Sequence, residues 1–403
     1  MRRPTWLLVA AASAIVATLP PVTRASGQTP EARFAEAQRF YRAALADHAI
    51  VGSGLALVSD GRIIARDNAG LRDRDANLPV NDDTIFHWAS ITKTFTGIAL
   101  MQLRDRGLVS LDDPAVKYVP ELRKVSNPFG PIETITIRHL LSHSAGFRAG
   151  TWPWGTGESW QPFEPPGWEQ LVGMMPYTRI EFAPGSKYSY SNPGLVFVGR
   201  IIEDVTGEPF ETYVDKEVLR PLGMTRAFFD RAPSFLRQHR SHSYFVTDAG
   251  LTEARFDFDT GITVSNGGLN APIDDMARYL GFLMGSRDAA RQRQYDAVLK
   301  RSTLEEMWKP IVPVSPGVSM GLTWFLERHG GLDFIAHSGG QNGFISHFYL
   351  HRPTRAAYLV AFNTEVSSGG TPAREITREA DAVLRDALIE HVFSALQGRP
   401  GGP

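Results

Sequence analysis

The sequence predicts an α+β protein in which both ends of the chain form one antiparallel sheet. Helices flank this sheet, and a mostly helical domain is inserted between its two halves. Strand-forming segments occur early in the chain and again over the last hundred residues. From about residue 112 to residue 300, helical patterns predominate, separated by turn signals. A single sheet shared by both termini is the most economical architecture for this order of elements.

Periodicity and turn chemistry define the individual elements. Asp60-Gly61, typical of a tight hairpin turn, separates the first two strands. Gly107 suits the end of the helix that follows Ser90. The predicted helices cover residues 31–47, 90–107, 137–143, 195–205, 210–219, 274–283 and 372–396. The predicted strands cover residues 54–59, 63–65, 320–326, 334–337, 345–350 and 357–362.

The first 27 residues have the features of a secretory signal peptide. Arg2 and Arg3 precede an apolar run, and small residues follow near Ala25. The alternative is a membrane anchor, but the run is shorter than the roughly 20 residues that a spanning helix needs. We therefore expect an exported protein, periplasmic or secreted, with no stable membrane insertion after cleavage.

The remaining chain divides into two predicted domains. Residues 30–110 and 300–398 form a discontinuous α/β sheet domain, and residues 111–299 form the inserted, mostly helical domain. A chain of 403 residues is long enough for this organisation and for a large buried core.

The composition excludes several classes of partner and site. A formal net charge of -1 gives no electrostatic reason to expect nucleic acid as a partner. The absence of cysteine excludes disulfides and thiolate metal sites. The composition itself identifies no partner, and the oligomeric state stays open.

Ser90 and Lys93 form the pattern Ser-x-x-Lys at the start of an apolar helix. Lys93 is the only lysine in the chain that has a serine three positions earlier. Positions i and i+3 share a helix face, so the hydroxyl and the amine can meet. A serine becomes nucleophilic when a neighbouring base takes its proton, and a desolvated lysine can act as that base.

Tyr190 and Asn192 form a second candidate group in the segment YSYSN, residues 188–192. Tyr190 is the only tyrosine followed two positions later by asparagine. A phenol beside a lysine can carry a proton between the serine, the leaving group and water. Asn192 could hold a substrate amide or orient Lys93. An aromatic packing loop is the alternative interpretation.

The third candidate group is the segment His337, Ser338, Gly339 and Gly340, on a predicted strand near the C-terminus. Glycine in a strand permits close approach of another backbone or a ligand. A backbone N–H of this strand could form an oxyanion hole together with the N–H of Ser90. The alternative is a tight turn beside a satisfied histidine.

Three other features compete with these groups. Ser319 fits the G-x-S-x-G pattern of a hydrolase nucleophile elbow, but a strand-like segment follows it where a helix is required. His139 and His143 have the i, i+4 spacing of zinc ligands, but they lack the glutamate of the H-E-x-x-H motif, so a structural role for both is the favoured interpretation. The tryptophan-rich segment 152–168 could form an apolar acyl-binding rim or a packed surface loop.

The ordered set Ser90-x-x-Lys93, Tyr190-x-Asn192 and His337-x-Gly339 resembles the serine β-lactamase and penicillin-binding-protein superfamily. The resemblance points to its class C-like branch, with D,D-carboxypeptidases, D-aminopeptidases and family VIII carboxylesterases. Further segments that resemble it are IRHLLSHSAG (137–146), PGSKYSYSN (184–192), GGL (267–269) and GLTW (321–324).

This resemblance implies a β-lactamase/transpeptidase-like fold with the active site between the two domains. It implies Ser90 as the acylated nucleophile, Lys93 as its base partner and Tyr190 as the second proton carrier. It also implies an oxyanion hole made by the amides of Ser90 and Gly340, with no metal or organic cofactor, and a small-molecule ester, amide or peptide as the partner.

One departure from the family pattern concerns substrate choice. His337 stands where class C β-lactamases usually carry lysine, so we expect esterase or D,D-peptidase and D-aminopeptidase activity ahead of β-lactamase activity. A weak β-lactamase, a non-catalytic penicillin-binding or sensor module, and a hydrolase that uses Ser319 are the alternatives.

Overall fold

The computed structural model describes residues 30–147, 167–368 and 374–397. The predicted signal peptide and most of the tryptophan-rich segment lie outside these residues. The strands are β1 (Gly52–Ser59), β2 (Arg62–Asp73), β3 (Leu78–Pro79), β4 (Ile85–His87), β5 (Phe228–Phe229), β6 (Tyr244–Thr247), β7 (Gly250–Glu253), β8 (Leu269–Pro272), β9 (Val312–Ser315), β10 (Val318–Met320), β11 (Phe325–His329), β12 (Leu332–Gln341), β13 (Phe344–His351), β14 (Ala356–Phe362), β15 (Thr364–Ser368) and β16 (Arg374–Glu375).

Each predicted helix has a counterpart in the structure, whereas the helices at residues 168–174, 264–267, 289–298 and 301–307 were not predicted. The helices are α1 (Pro30–Asp47), α2 (Thr92–Asp105), α3 (Ile137–Leu141), α4 (Trp168–Met174), α5 (Asn192–Thr206), α6 (Phe210–Val214), α7 (Val264–Gly267), α8 (Ile273–Met284), α9 (Ala289–Val298), α10 (Arg301–Met307), α11 (Ile376–Leu388) and α12 (Ser394–Gln397). A 3-10 turn, Ala89–Ile91, precedes α2. π-helical turns, Asp215–Leu219 and Ile389–Phe393, extend α6 and join α11 to α12.

Within the described residues, nine strands form the large sheet, in the order β3-β2-β1-β14-β13-β12-β11-β10-β9, with every neighbouring pair antiparallel. Strand β1, near the start of the chain, pairs with β14, near its end, so that Gly54 lies opposite Ala361. The prediction of one antiparallel sheet built from both chain ends is therefore confirmed.

Helices cover both faces of this sheet. Leu55 and Leu57 of β1 share a core with α1 and α11 on one face. Ala56 and Val58 share the larger core on the other face with α2 and α8. Successive side chains of a strand point to opposite faces, which explains why residues 55–58 of β1 are all apolar. The sheet is thus the middle of three layers.

The middle of the chain is mainly helical and contributes strands to two small sheets, ordered β4-β8-β5 and β16-β15-β6-β7, in which β4, β15 and β16 come from the two ends of the chain. Strand β4 of the first small sheet ends at His87, shortly before Ser90. Helix α8 packs on β1 and β14 of the large sheet, although it lies within residues 111–299. The division into domains 30–110, 300–398 and 111–299 stays a prediction.

One predicted strand, residues 320–326, is wrong. Strand β10 ends at Met320 and β11 begins at Phe325, with a turn between them in which Thr323 has a φ of +66°. A Cβ on Gly321 would lie 2.3 Å from the Met307 carbonyl oxygen, so this turn packs closely on the end of α10. The apolar residues of this turn are buried by that contact and do not pair with a neighbouring strand.

The C-terminal helix begins at Ile376, after the short strand β16, and not at residue 372. Among the described helices, none combines the length and apolar character needed to cross a bilayer.

Candidate active site

Ser90 lies in the 3-10 turn directly ahead of α2. The backbone and indole N–H groups of Trp88 donate to carbonyls of β8 at 2.8 and 2.9 Å, and its own carbonyl accepts from Ser346 Oγ at 3.1 Å. Ala89 has a φ of +46°, a conformation that costs a non-glycine residue about 1–3 kcal/mol. The contacts of Trp88 hold this strained residue in place and thereby fix the position of Ser90.

Lys93 is fully buried one turn after Ser90. Its Nζ donates to Ser90 Oγ at 2.9 Å and to the Asn266 carbonyl oxygen at 2.8 Å. A buried amine needs polar partners to offset the loss of hydration. The carbonyl from α7 supplies one and directs Nζ at the serine hydroxyl, so the structure brings together the first predicted pair.

Tyr190 lies two residues before α5, beside the same pair. Its ring centroid is 4.9 Å from Lys93 Nζ, and its hydroxyl lies close enough to the Ser90 side chain for the serine to influence the pKa of the phenol. Burial raises the pKa of Tyr190 above its ordinary value, while the Ser90 side chain and the charge of Arg378 oppose this shift. The phenol is therefore protonated at neutral pH and can donate to a leaving group.

Asn192 is the first residue of α5. Its backbone carbonyl oxygen accepts from Asn266 Nδ2 at 3.4 Å, which links it to the residue that binds Lys93. Its side-chain Oδ1 is buried and has no hydrogen-bond partner in the described structure. A buried acceptor without a partner can receive a substrate N–H.

His337 is buried in β12 as a neutral imidazole. Its Nδ1 donates to the Ser338 carbonyl oxygen at 2.7 Å, and its Nε2 has no partner among the described residues. Burial, with the nearby charge of Lys93, lowers the pKa of His337 to about 3. This side chain therefore carries no charge at neutral pH.

Gly339 and Gly340 bring β12 against the segment that leads to Ser90. A Cβ on Gly339 would lie 2.2 Å from the Trp88 carbonyl oxygen, closer than side-chain contacts allow. Gly340 is exposed, and Ser338 is half-buried. The absence of a side chain at Gly339 is thus what allows the strand to lie beside the serine.

Sequence reasoning missed Asn266 and Arg378. Asn266 is 173 residues away from Lys93 in the chain, and no motif connects the two. Arg378 belongs to the first turn of α11, and its Nη2 lies 2.5 Å from where a Cβ on Gly340 would be. No local pattern distinguishes this arginine from other charged residues of an amphipathic helix.

His139 and His143 lie in separate environments, which agrees with the favoured structural role of both. Helix α3 ends at Leu141 and His143 has a φ of +53°, so the two rings do not share a helix face. His139 Nδ1 accepts from the backbone N–H of Thr136 in the cap of α3, whereas His143 packs against Tyr190. Among residues 30–147, 167–368 and 374–397, no group of three or more His, Asp or Glu side chains could hold a metal ion.

Ser319 does not have the geometry of a nucleophile elbow. It lies in the middle of β10, between β9 and β11 at the edge of the large sheet, with Leu326 opposite it. An elbow requires a sharp turn from a strand into a helix. Ser319 instead lies on a strand that is paired with antiparallel neighbours on both sides.

Comparisons with known proteins agree with this fold. The family described as Beta-lactamase matches residues 37–382. The chain is 30% identical over 290 residues to esterase EstB of Burkholderia gladioli. The aligned region covers 62% of this chain and 72% of EstB. The chain is 25% identical over 314 residues to the D-alanyl-D-alanine-carboxypeptidase/endopeptidase AmpH of Escherichia coli, covering 76% of this chain and 78% of AmpH.

Among solved structures, the octameric penicillin-binding protein homologue from Pyrococcus abyssi is similar, with a TM-score of 0.70 and 27% identity. The similarity covers 82% of this chain and 73% of that one. These findings define a serine hydrolase that acts on ester or amide bonds. The chain belongs to the beta-lactamase family, in the class C-like branch of the serine β-lactamase and penicillin-binding-protein superfamily.

Proposed function

We propose that this protein is an exported hydrolase that cleaves ester or amide bonds through an acyl-enzyme on Ser90. The observation that carries the proposal is the 2.9 Å contact between Ser90 Oγ and Lys93 Nζ, with the Tyr190 ring beside the same pair. A nucleophile with a base partner and a second proton carrier is the arrangement that acyl transfer requires.

Each group has a defined task in the proposed reaction. Ser90 Oγ attacks the substrate carbonyl and its proton passes to the Lys93 amine. The backbone N–H groups of Ser90 and Gly340 stabilise the oxyanion. The Tyr190 phenol donates its proton to the departing alkoxide or amine and regains one from Lys93. Water then attacks the acyl-enzyme and loses a proton to the same pair, which releases the acid and regenerates Ser90.

The charges around the site bear on the substrate. His337 is neutral and offers no cation to a substrate carboxylate. The Arg378 guanidinium lies beside Gly340, and its charge acts on Tyr190. A cation beside the proposed oxyanion hole favours substrates with an anionic group, such as a peptide with a terminal carboxylate. EstB and AmpH represent an esterase and a D,D-peptidase, so both substrate classes belong to the proposal.

Labelling tests the nucleophile directly. After incubation with a fluorophosphonate or a p-nitrophenyl ester, mass spectrometry should find the adduct on the peptide that contains Ser90. Ser90→Ala should lower turnover by on the order of 10³-fold or more. Ser319→Ala is the matched control and should keep full activity. Full turnover by Ser90→Ala would exclude the mechanism, and an adduct on Ser319 would support the alternative hydrolase.

A substrate panel separates the possible activities. Rates on a short-chain ester, a D-Ala-D-Ala peptide and a chromogenic cephalosporin are compared, with Ser90→Ala as the blank. We expect turnover of the ester or the peptide to exceed that of the cephalosporin. Stoichiometric labelling of Ser90 without turnover of any substrate would indicate a penicillin-binding or sensor module.

Export is a separate part of the proposal and rests on the N-terminal sequence. Expression of the full chain in a Gram-negative host should yield a periplasmic or secreted form. N-terminal sequencing of that form should begin between Ala25 and Gln28. Recovery of the uncleaved chain from the cytoplasm alone would contradict export and leave the hydrolase proposal intact.

A further inference from the structure

His143 has no part in the reaction described above, yet it contacts the proton carrier. Its ring stacks on Tyr190 with centroids 4.4 Å apart and planes 30° apart. Its Nδ1 accepts a hydrogen bond from the backbone N–H of Ser191 at 3.1 Å. One side chain thus holds both the ring of Tyr190 and the backbone that follows it.

The hydrogen bond fixes the tautomer of His143. Because Nδ1 accepts from a backbone N–H, the proton of the neutral ring must be on Nε2. The side chain is 1% exposed, and burial together with the charge of Lys93 lowers its pKa well below the ordinary value. A neutral ring does not repel Lys93 when its amine takes a proton during the reaction, whereas an imidazolium would.

The segment that carries Tyr190 depends on this contact. The backbone N–H of Ser189 donates to the His143 carbonyl oxygen at 2.8 Å, so the strand-like stretch 189–191 is bonded to His143 on both sides of Tyr190. His143 adopts a φ of +53°, which turns its ring out of the direction of α3 and onto Tyr190. Both the backbone and the ring of one residue therefore define where the phenol lies.

We propose that His143 is a positioning residue that holds the Tyr190 hydroxyl against Ser90. This inference rests on the proposed function, because it assigns a role within the same proton transfer. His143 touches neither the Ser90 hydroxyl nor the Lys93 amine in a hydrogen bond, and it acts through Tyr190. A displacement of about 1 Å at a reacting group can lower the rate of an enzyme about 100-fold.

Two substitutions separate the two contacts of the side chain. His143→Asn keeps an acceptor for the Ser191 N–H and removes the stacked ring. His143→Phe keeps the ring and removes the acceptor. His139→Asn is the matched control, since His139 is a neighbouring, half-buried histidine whose ring faces the cap of α3. Thermal melts of all three variants show which are folded before rates are compared.

A double-mutant cycle with Tyr190→Phe distinguishes positioning from a general structural role, because coupled residues give non-additive effects. We expect His143→Asn to lower kcat about 100-fold, with KM within about threefold, when Tyr190 is present. In the Tyr190→Phe background, the same change should lower kcat less than about threefold, because no phenol remains to be displaced. His143→Phe should follow the same pattern, so either folded variant completes the cycle.

Equal losses in both backgrounds would overturn the inference, because they would show that His143 acts independently of the phenol. Wild-type kcat in both His143 variants would overturn it as well. Full activity of Ser90→Ala would instead remove the proposed function itself. If Ser90→Ala loses activity and the double-mutant cycle is additive, the hydrolase proposal is retained. Only the role of His143 is then rejected.

Discussion

The close approach between β12 and the segment before Ser90 makes Gly339→Ala a sharp test of the site. A Cβ at this position would lie 2.2 Å from the Trp88 carbonyl oxygen and 2.5 Å from Ser346 Oγ. Real Cβ contacts are essentially never shorter than 3.0 Å, so the strand and the Trp88 backbone must separate by about 1 Å. Trp88 cannot move freely, since β8 and Ser346 hold it.

That separation changes the distance between the two amides proposed for the oxyanion hole. We expect Gly339→Ala to lower kcat on a p-nitrophenyl ester about 100-fold. Overpacking should also lower the free energy of unfolding by about 1–3 kcal/mol. Gly173→Ala is the control, because a Cβ on that helical glycine meets nothing within 4 Å. Wild-type turnover by folded Gly339→Ala would refute the assignment of this strand to the site.

Two further predictions concern charge. His337 binds a proton only below about pH 3 when folded and below about 6.5 when unfolded, so the unfolded state binds more protons between these values. Stability should therefore fall as the pH drops through this window, by about 3 kcal/mol at pH 4, at about 1.4 kcal/mol per pH unit. Urea unfolding should show this loss reduced in His337→Gln, and identical pH slopes would contradict it. Arg378→Gln should raise KM about tenfold or more for a D-Ala-D-Ala peptide, because charge-assisted contacts contribute about 1.5–3 kcal/mol, and should leave KM for a neutral ester unchanged. Equal changes for both substrates would argue against a carboxylate contact.

Local sequence signals were sufficient for part of the fold. Hairpin chemistry at Asp60-Gly61 and helical periodicity in α1, α5 and α8 predicted these elements correctly. The strand predicted over residues 320–326 was wrong because an apolar segment can be buried in two ways. It can pack on a helix, or it can pair with a neighbouring strand in a sheet. Only the contact with α10 distinguishes the two.

The candidate site shows the same limit. Spacing alone placed Ser90 and Lys93 on one face of a helix, and their atoms are 2.9 Å apart. The order of the motifs selected Tyr190 and the glycine-containing strand. His143 was considered only as a structural residue or a possible metal ligand, since the sequence does not show that its positive φ turns the ring towards Tyr190.

The sequence by itself determined which residues have the chemistry for acyl transfer, because a helical i, i+3 pair and a strand with glycines are local patterns. The tertiary structure decided what surrounds them. It brings the Asn266 carbonyl to Lys93, buries His337 as a neutral ring, and places Arg378 beside Gly340. These contacts join segments far apart in the chain, and their electrostatic effect depends on burial. Burial results from packing of the whole sheet and its helices, which no local pattern specifies.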